Sequence, residues 1–232
     1  MLAKKFALAF GIAVVFPAMI HYAVSSFTTE PRWSDYHTTA LINQNSAEYQ
    51  TQHAAYKSAE ERFQQRLFFV ATAPLSGQGL VNCSPKGIDS FRILGPAEVG
   101  YLDLTGSGIE TAAHLAENGR IVFMFCAFSG PAKVLRCHGV GAYHLPGSPA
   151  FSEVANLFPE LPGTRGIVRA RLTRISDSCG FGVPRYDFLE DRDTLVRWAE
   201  SKGPEGLADY RAIRNVQSID GLPGIDGLPG PS

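Results

Sequence analysis

The sequence predicts a mainly β domain with short helices, a small antiparallel barrel preceded by an apolar N-terminal segment. Between Leu67 and Ile175, short apolar or alternating runs recur between Gly-Pro, Gly-Ser-Gly, Asn-Gly and Ser-Pro breaks. Gly139 and Gly141 interrupt one of these runs, as a closing sheet requires where it bends. Helical spacing is confined to brief inserts, the segment before the barrel and the tail. Short strands with glycine at their corners suit a small closed sheet.

The chain of 232 residues holds one domain of ordinary size plus an appendage. Its formal net charge of -1 excludes a broad basic surface, so no nucleic-acid partner is expected. From Phe6 to Phe27 no residue is permanently charged, a stretch long enough to cross a hydrocarbon core of about 30 Å. A single-pass membrane anchor over 6–27 is therefore expected, with 1–5 as a cytoplasmic start. A cleaved signal peptide ending near Ala23-Val24-Ser25 is the rival reading. Lys4 and Lys5 against Arg32 are a small bias, which leaves the side of the main domain open. Residues 28–66 read as a linker and an amphipathic helix, Ser46 to Arg66, with Ala55, Tyr56, Ala59 and Phe63 at helical spacing.

The barrel is expected over 67–190. Leu67 to Ala73 and Leu80 to Ser84 form a hairpin around the Pro74–Gly79 turn, and Phe91 to Leu94 and Val99 to Leu104 flank Gly95-Pro96. A Gly106–Gly108 turn leads into a helix ending at Asn118-Gly119. There Ser107 and Glu110 have the S-x-x-E spacing of a reciprocal cap. Arg120 to Ala127 and Lys133 to His144 read as strands, Ser148 to Phe158 as a short helix, and Thr164 to Ile175 as the last strand. The arginines of that strand are read as solvated, since Arg169 and Arg171 alternate with apolar residues. Tail helices follow at Asp191–Lys202 and Pro204–Asn215, within 191–218. The end, 219–232, is expected to be extended and contains IDGLPG twice, at Ile219–Gly224 and Ile225–Gly230.

One stretch carries chemistry. A Gly-Ser-Gly turn opening a helix offers free N–H groups at its positive end, a natural anion site, although a cap alone would satisfy the same groups. Asn82, Ser84 and Lys86 alternate onto one face of a neighbouring strand. The four cysteines, Cys83, Cys126, Cys137 and Cys179, lack C-x-x-C spacing, and the six histidines form no ligand or triad signature; no metal site is expected.

The ordered blocks FFVATAPLSGQGLVNCSPKGIDSF, YLDLTGSGIETAAHLAENGRIVFMFCAF, VLRCHGVG, DSCGFGVP and SIDGLPG resemble the pyridoxamine 5'-phosphate oxidase-like family of FMN-binding split barrels. The resemblance spans about Phe68 to Gly224. It implies a split β-barrel, antiparallel and Greek-key-like, an FMN cofactor, a homodimer and oxidoreductase chemistry on a small-molecule substrate. It places Asn82, Ser84 and Lys86 near FMN, passes Asp103, Leu104 and Thr105 along the isoalloxazine edge, and sets Glu110 and Thr111 near the phosphate. Many such barrels carry Arg and Lys at this helix start. Ile109 and Thr111 stand there instead, which leaves charge compensation to Lys86 and Arg136. The Arg-x-His element that the oxidase proper uses for its substrate is missing from Arg197–Asn215, so vitamin B6 oxidation is not expected. A flavin- or haem-binding module without turnover, or an apo interaction domain at the membrane, are the alternative readings.

Overall fold

The computed structural model describes residues 66–225. The expected anchor, the linker and helix before Arg66, and all but Ile225 of the second IDGLPG copy lie outside them. No helix among the described residues is long and apolar enough to cross a membrane.

Seven strands form one antiparallel sheet. They are β1 (Phe68–Thr72), β2 (Asn82–Lys86), β3 (Phe91–Gly95), β4 (Glu98–Leu104), β5 (Arg120–Cys126), β6 (Val134–His144) and β7 (Thr164–Ser178), in the order β2-β1-β5-β6-β7-β4-β3. The meander β5-β6-β7 with β4 returning beside β7 is a Greek key. The long connection that this requires carries α1 (Glu110–Asn118). Between β6 and β7 lie α2 (Pro149–Ser152) and a 3₁₀ turn (Ala155–Leu157), and α3 (Thr194–Arg214) follows β7.

The sheet curls because its inward residues are large and aromatic. Phe68 of β1 packs edge-on against Phe91 of β3 at 5.2 Å between ring centres, although these strands lie near opposite ends of the sheet order. Tyr101, Phe123 and Phe125 complete this cluster, where edge-to-face contacts add to plain burial. Strands β2 and β3 are the two edges, and between them the barrel is split.

Several boundaries move for physical reasons. The second strand begins at Asn82, not Leu80, because the Leu80 N–H is given to Asp220 and Leu80 and Val81 stand exposed. The last strand runs on to Ser178, its added residues Ser176, Asp177 and Ser178 paired with β6. Ser148 to Phe158 divides into two pieces, the first capped by the Ser148 hydroxyl, which accepts from the Phe151 N–H with Pro149 behind it. The tail helix breaks at Gly203, φ 64°, so it is two helices meeting before Pro204, as the sequence suggests.

Candidate functional site

At the split, the Gly87–Ser90 bend after β2, the end of β4 and the start of α1 enclose a cleft of about 280 Å³. Ser84, Lys86, Asp103, Leu104, Thr105, Glu110 and Thr111 all line it. Asn82 stands behind it, donating to Thr111 Oγ1 at 3.0 Å while its carbonyl accepts from Ser84. Arg136 is not among the lining residues and donates instead to Ser178 Oγ on β7. Thr105 turns its hydroxyl away to the Gly163 carbonyl, so it meets the cleft mainly through backbone.

Asp103 is the electrostatic centre. It is 2 % exposed, and four donor contacts reach its two oxygens: Lys86 Nζ at 3.0 Å, Tyr143 Oη at 3.0 Å, and Arg165 Nε and Nη2 at 2.9 and 2.7 Å. Burial pushes its carboxyl up, but Lys86 and Arg165 outweigh burial and hold it at about 2. Burial likewise works against the Arg165 charge, and Asp103 more than restores it. Burial, and then Asp103, raise the Tyr143 phenol, which stays a donor. Gly166 makes this bond possible: any side chain there would occupy the space of the Tyr143 ring. With one carboxylate between two cations, this three-residue cluster is itself net positive, and Glu110 adds a second carboxylate to the cleft wall.

Sequence reasoning assigned Arg165 to solvent, yet it is 6 % exposed. The signal was Ile167, on the same alternating face and fully buried, which marks where the wet face of β7 gives way to core. Arg169 too is engaged, with Glu98 and Glu153. Tyr143 and Asn215 were missed because nothing local links them to Asp103, from which they lie far along the chain.

The start of α1 differs from expectation. Its N-cap is Ile109, and no side chain caps it among the described residues, so the Ser107–Glu110 capping box is not formed. The first helical bond is Ala113 N–H to the Ile109 carbonyl, which leaves the N–H groups of Glu110, Thr111 and Ala112 without helical partners. Glu110 instead accepts from the Ile219 N–H at 3.3 Å. In the same cleft the hydroxyl of Ser90, a residue 4 % exposed, has no partner among the described residues. Ile88 and Asp89, at φ 57° and 50°, hold left-handed geometry in the bend between them, which is costly for a β-branched residue. Uncapped N–H groups, an orphaned hydroxyl and a lysine together form a donor set suited to a phosphate.

A second cleft of about 530 Å³ adjoins the first and shares Gly87, Ile88 and Leu195 with it. Leu67, Ile88, Leu195 and Trp198 supply its apolar surface, and Glu190, Asp191, Arg192 and Thr194 complete the wall.

No family model matches the chain. Among solved structures, it resembles a pyridoxamine 5'-phosphate oxidase-related, FMN-binding protein from Nostoc punctiforme (10 % identity, TM-score 0.42, 58 % of this chain and 85 % of that one). It also resembles HupZ of Group A Streptococcus (18 % identity, TM-score 0.41, 53 % and 93 %). Among curated proteins, it is 36 % identical over 176 residues to the pyridoxamine 5'-phosphate oxidase family protein ustO of Aspergillus flavus, an alignment covering 68 % of this chain and 70 % of that one. At that identity and coverage, the chain belongs to the pyridoxamine 5'-phosphate oxidase family.

Proposed function

We propose that the protein binds FMN and acts as a flavin-dependent oxidoreductase on a small molecule. The observation that carries this reading is the cleft at the barrel's split, where an uncapped helix start, Lys86 and the orphaned Ser90 hydroxyl converge in a member of this family. The donor set fits the terminal phosphate of FMN. The N–H groups of Glu110, Thr111 and Ala112 with Lys86 would hold the phosphate, and Ser84 and the Asp103–Thr105 backbone would border the rest of the cofactor.

Bound flavin supplies the exchange of a hydride or of single electrons, which no side chain here can supply. The protein's part is to orient and to tune. Asp103 fixes Lys86 at the rim, Lys86 and Arg165 keep Asp103 ionised, and Tyr143 donates to the same carboxylate, so the lysine is presented to the cleft in one place. The adjoining cleft, with Leu67, Ile88, Leu195 and Trp198 in its wall, offers an apolar surface for a substrate beside the cofactor. The homodimer and the membrane anchor expected from the sequence belong to the same proposal; light scattering tests the first and membrane fractionation the second.

Titration of the full-length protein with FMN, followed by flavin fluorescence, tests the reading. Saturable binding at micromolar FMN or tighter is expected. Absence of binding would return the protein to the interaction-domain reading.

A further inference from the structure

We propose that the C-terminal segment Asn215–Ile225 is a clasp that aims the Gly106–Ile109 turn into the cleft, with Asn215 as the positioning residue for the anion site. This rests on the phosphate reading above and extends it to residues that line neither cleft.

The geometry runs through the turn's carbonyls. Asn215, 1 % exposed, donates from Nδ2 to the Gly106 carbonyl at 3.0 Å, and its Oδ1 accepts from Arg165 Nη1 at 2.9 Å. The same Arg165 nitrogen donates to the Gly108 carbonyl at 2.8 Å. In a trans peptide, the carbonyl and the next N–H point to opposite sides. Drawing the carbonyls of Gly106 and Gly108 toward the buried pair therefore turns the N–H groups of Ser107 and Ile109 the other way. Asn215 and Arg165 thus fix the polarity of the turn, the role a capping side chain would otherwise fill.

The clasp has its own lock. Gly224 and Ile225 donate to the carbonyls of Val216 and Asn215 at 2.7 and 3.0 Å, closing a loop whose turn is set by Gly221 at φ 76°. Ile225 packs on Ile109 and Ala112 at the start of α1. Ile219 donates to Glu110, and Asp220 accepts from the Leu80 N–H at 3.1 Å. A Cβ at Gly224 would run into the Asn215 carbonyl, so the lock requires glycine. The Ser90 hydroxyl, buried and unpartnered in the same cleft, is the independent sign that a polar ligand completes it.

Two variants test this. Asn215→Asp keeps the shape and the Arg165 contact but places a carboxylate against the Gly106 carbonyl; Gly224→Ala unseats the clasp from outside the cleft. Each is titrated with FMN and with riboflavin, which lacks the phosphate. The expected result is about a tenfold loss for FMN with riboflavin unchanged within about twofold, the size of one charge-assisted hydrogen bond. Equal losses for both ligands would overturn the proposal, since a merely structural role does not distinguish them. Hydrogen exchange of the ligand-free proteins gives a readout independent of flavin. Faster exchange at residues 106–112 in both variants is expected, and unchanged exchange there overturns the clasp. Should the wild type bind neither flavin, the flavin reading fails alone, and the exchange comparison still decides the clasp.

Discussion

Lys86 and Asp103 meet at 3.0 Å although β2 is one edge of the sheet and β4 lies next to the other. Their ion pair spans the split in the barrel. Because Arg165 holds the opposite oxygen of the same carboxylate, removing Asp103 would leave a buried guanidinium with no counter-charge. Asp103→Asn is expected to destabilise the fold by about 3–5 kcal/mol, read from urea unfolding. A loss below about 1 kcal/mol would show that Arg165 finds another partner.

The same carboxylate dictates an acid limit. Its folded-state value of about 2 lies below the ordinary 3.8, so between these pH values the unfolded chain binds the proton more readily. Its contribution, about 2 kcal/mol, is complete above pH 4 and lost as pH falls through 2. Unfolding free energies of wild type and Asp103→Asn, measured from pH 2 to 5, should differ in slope over that window. Parallel curves would count against this assignment.

Lys86→Ala is expected to weaken FMN binding by about 1.5–3 kcal/mol, a charged hydrogen bond's worth. The loss should shrink with added salt, because Lys86 is partly open to solvent. An unchanged affinity would remove it from the site.

Ser107→Ala should leave stability within about 0.5 kcal/mol of wild type, since Ser107 is exposed and makes no cap. A capping serine would cost about 1 kcal/mol, and thermal unfolding separates the two outcomes.

Thiol labelling should divide the cysteines. Cys83 and Cys179 are exposed, while Cys126 and Cys137 are buried, and burial raises the thiol of Cys137 most. Two fast and two slow reactions are expected with a thiol reagent in the native state; four equal rates would contradict this burial.

The strands, their order along the chain and the Gly106–Gly108 turn were legible in the sequence because alternation and glycine breaks are local signals. So was the row Asn82, Ser84, Lys86, which the strand's period of two places on one face. The remainder depended on distant partners. Ser107 and Glu110 had the spacing of a cap, yet helix α1 begins too late for it, and the bonds that organise the turn come from Arg165 and Asn215. Arg165 looked like its solvated neighbours Arg171 and Arg174, and only Ile167, on the same face, marked the end of the strand that runs into the core. Ser90 had no sequence signal: an unpartnered hydroxyl is a property of the folded surroundings.

The split itself has a mechanical consequence. Elsewhere the barrel wall is a ladder of backbone bonds, which opens only by unzipping residue after residue. At the junction of β2 and β4 the wall is made mainly of side chains, the Lys86–Asp103 ion pair and the edge-on packing of Phe68 on Phe91. Such a seam depends on the identity of a few side chains, where the rest of the wall depends on backbone pairing that any sequence could make. The barrel is therefore closed by side-chain chemistry at the one place where the cofactor is proposed to sit.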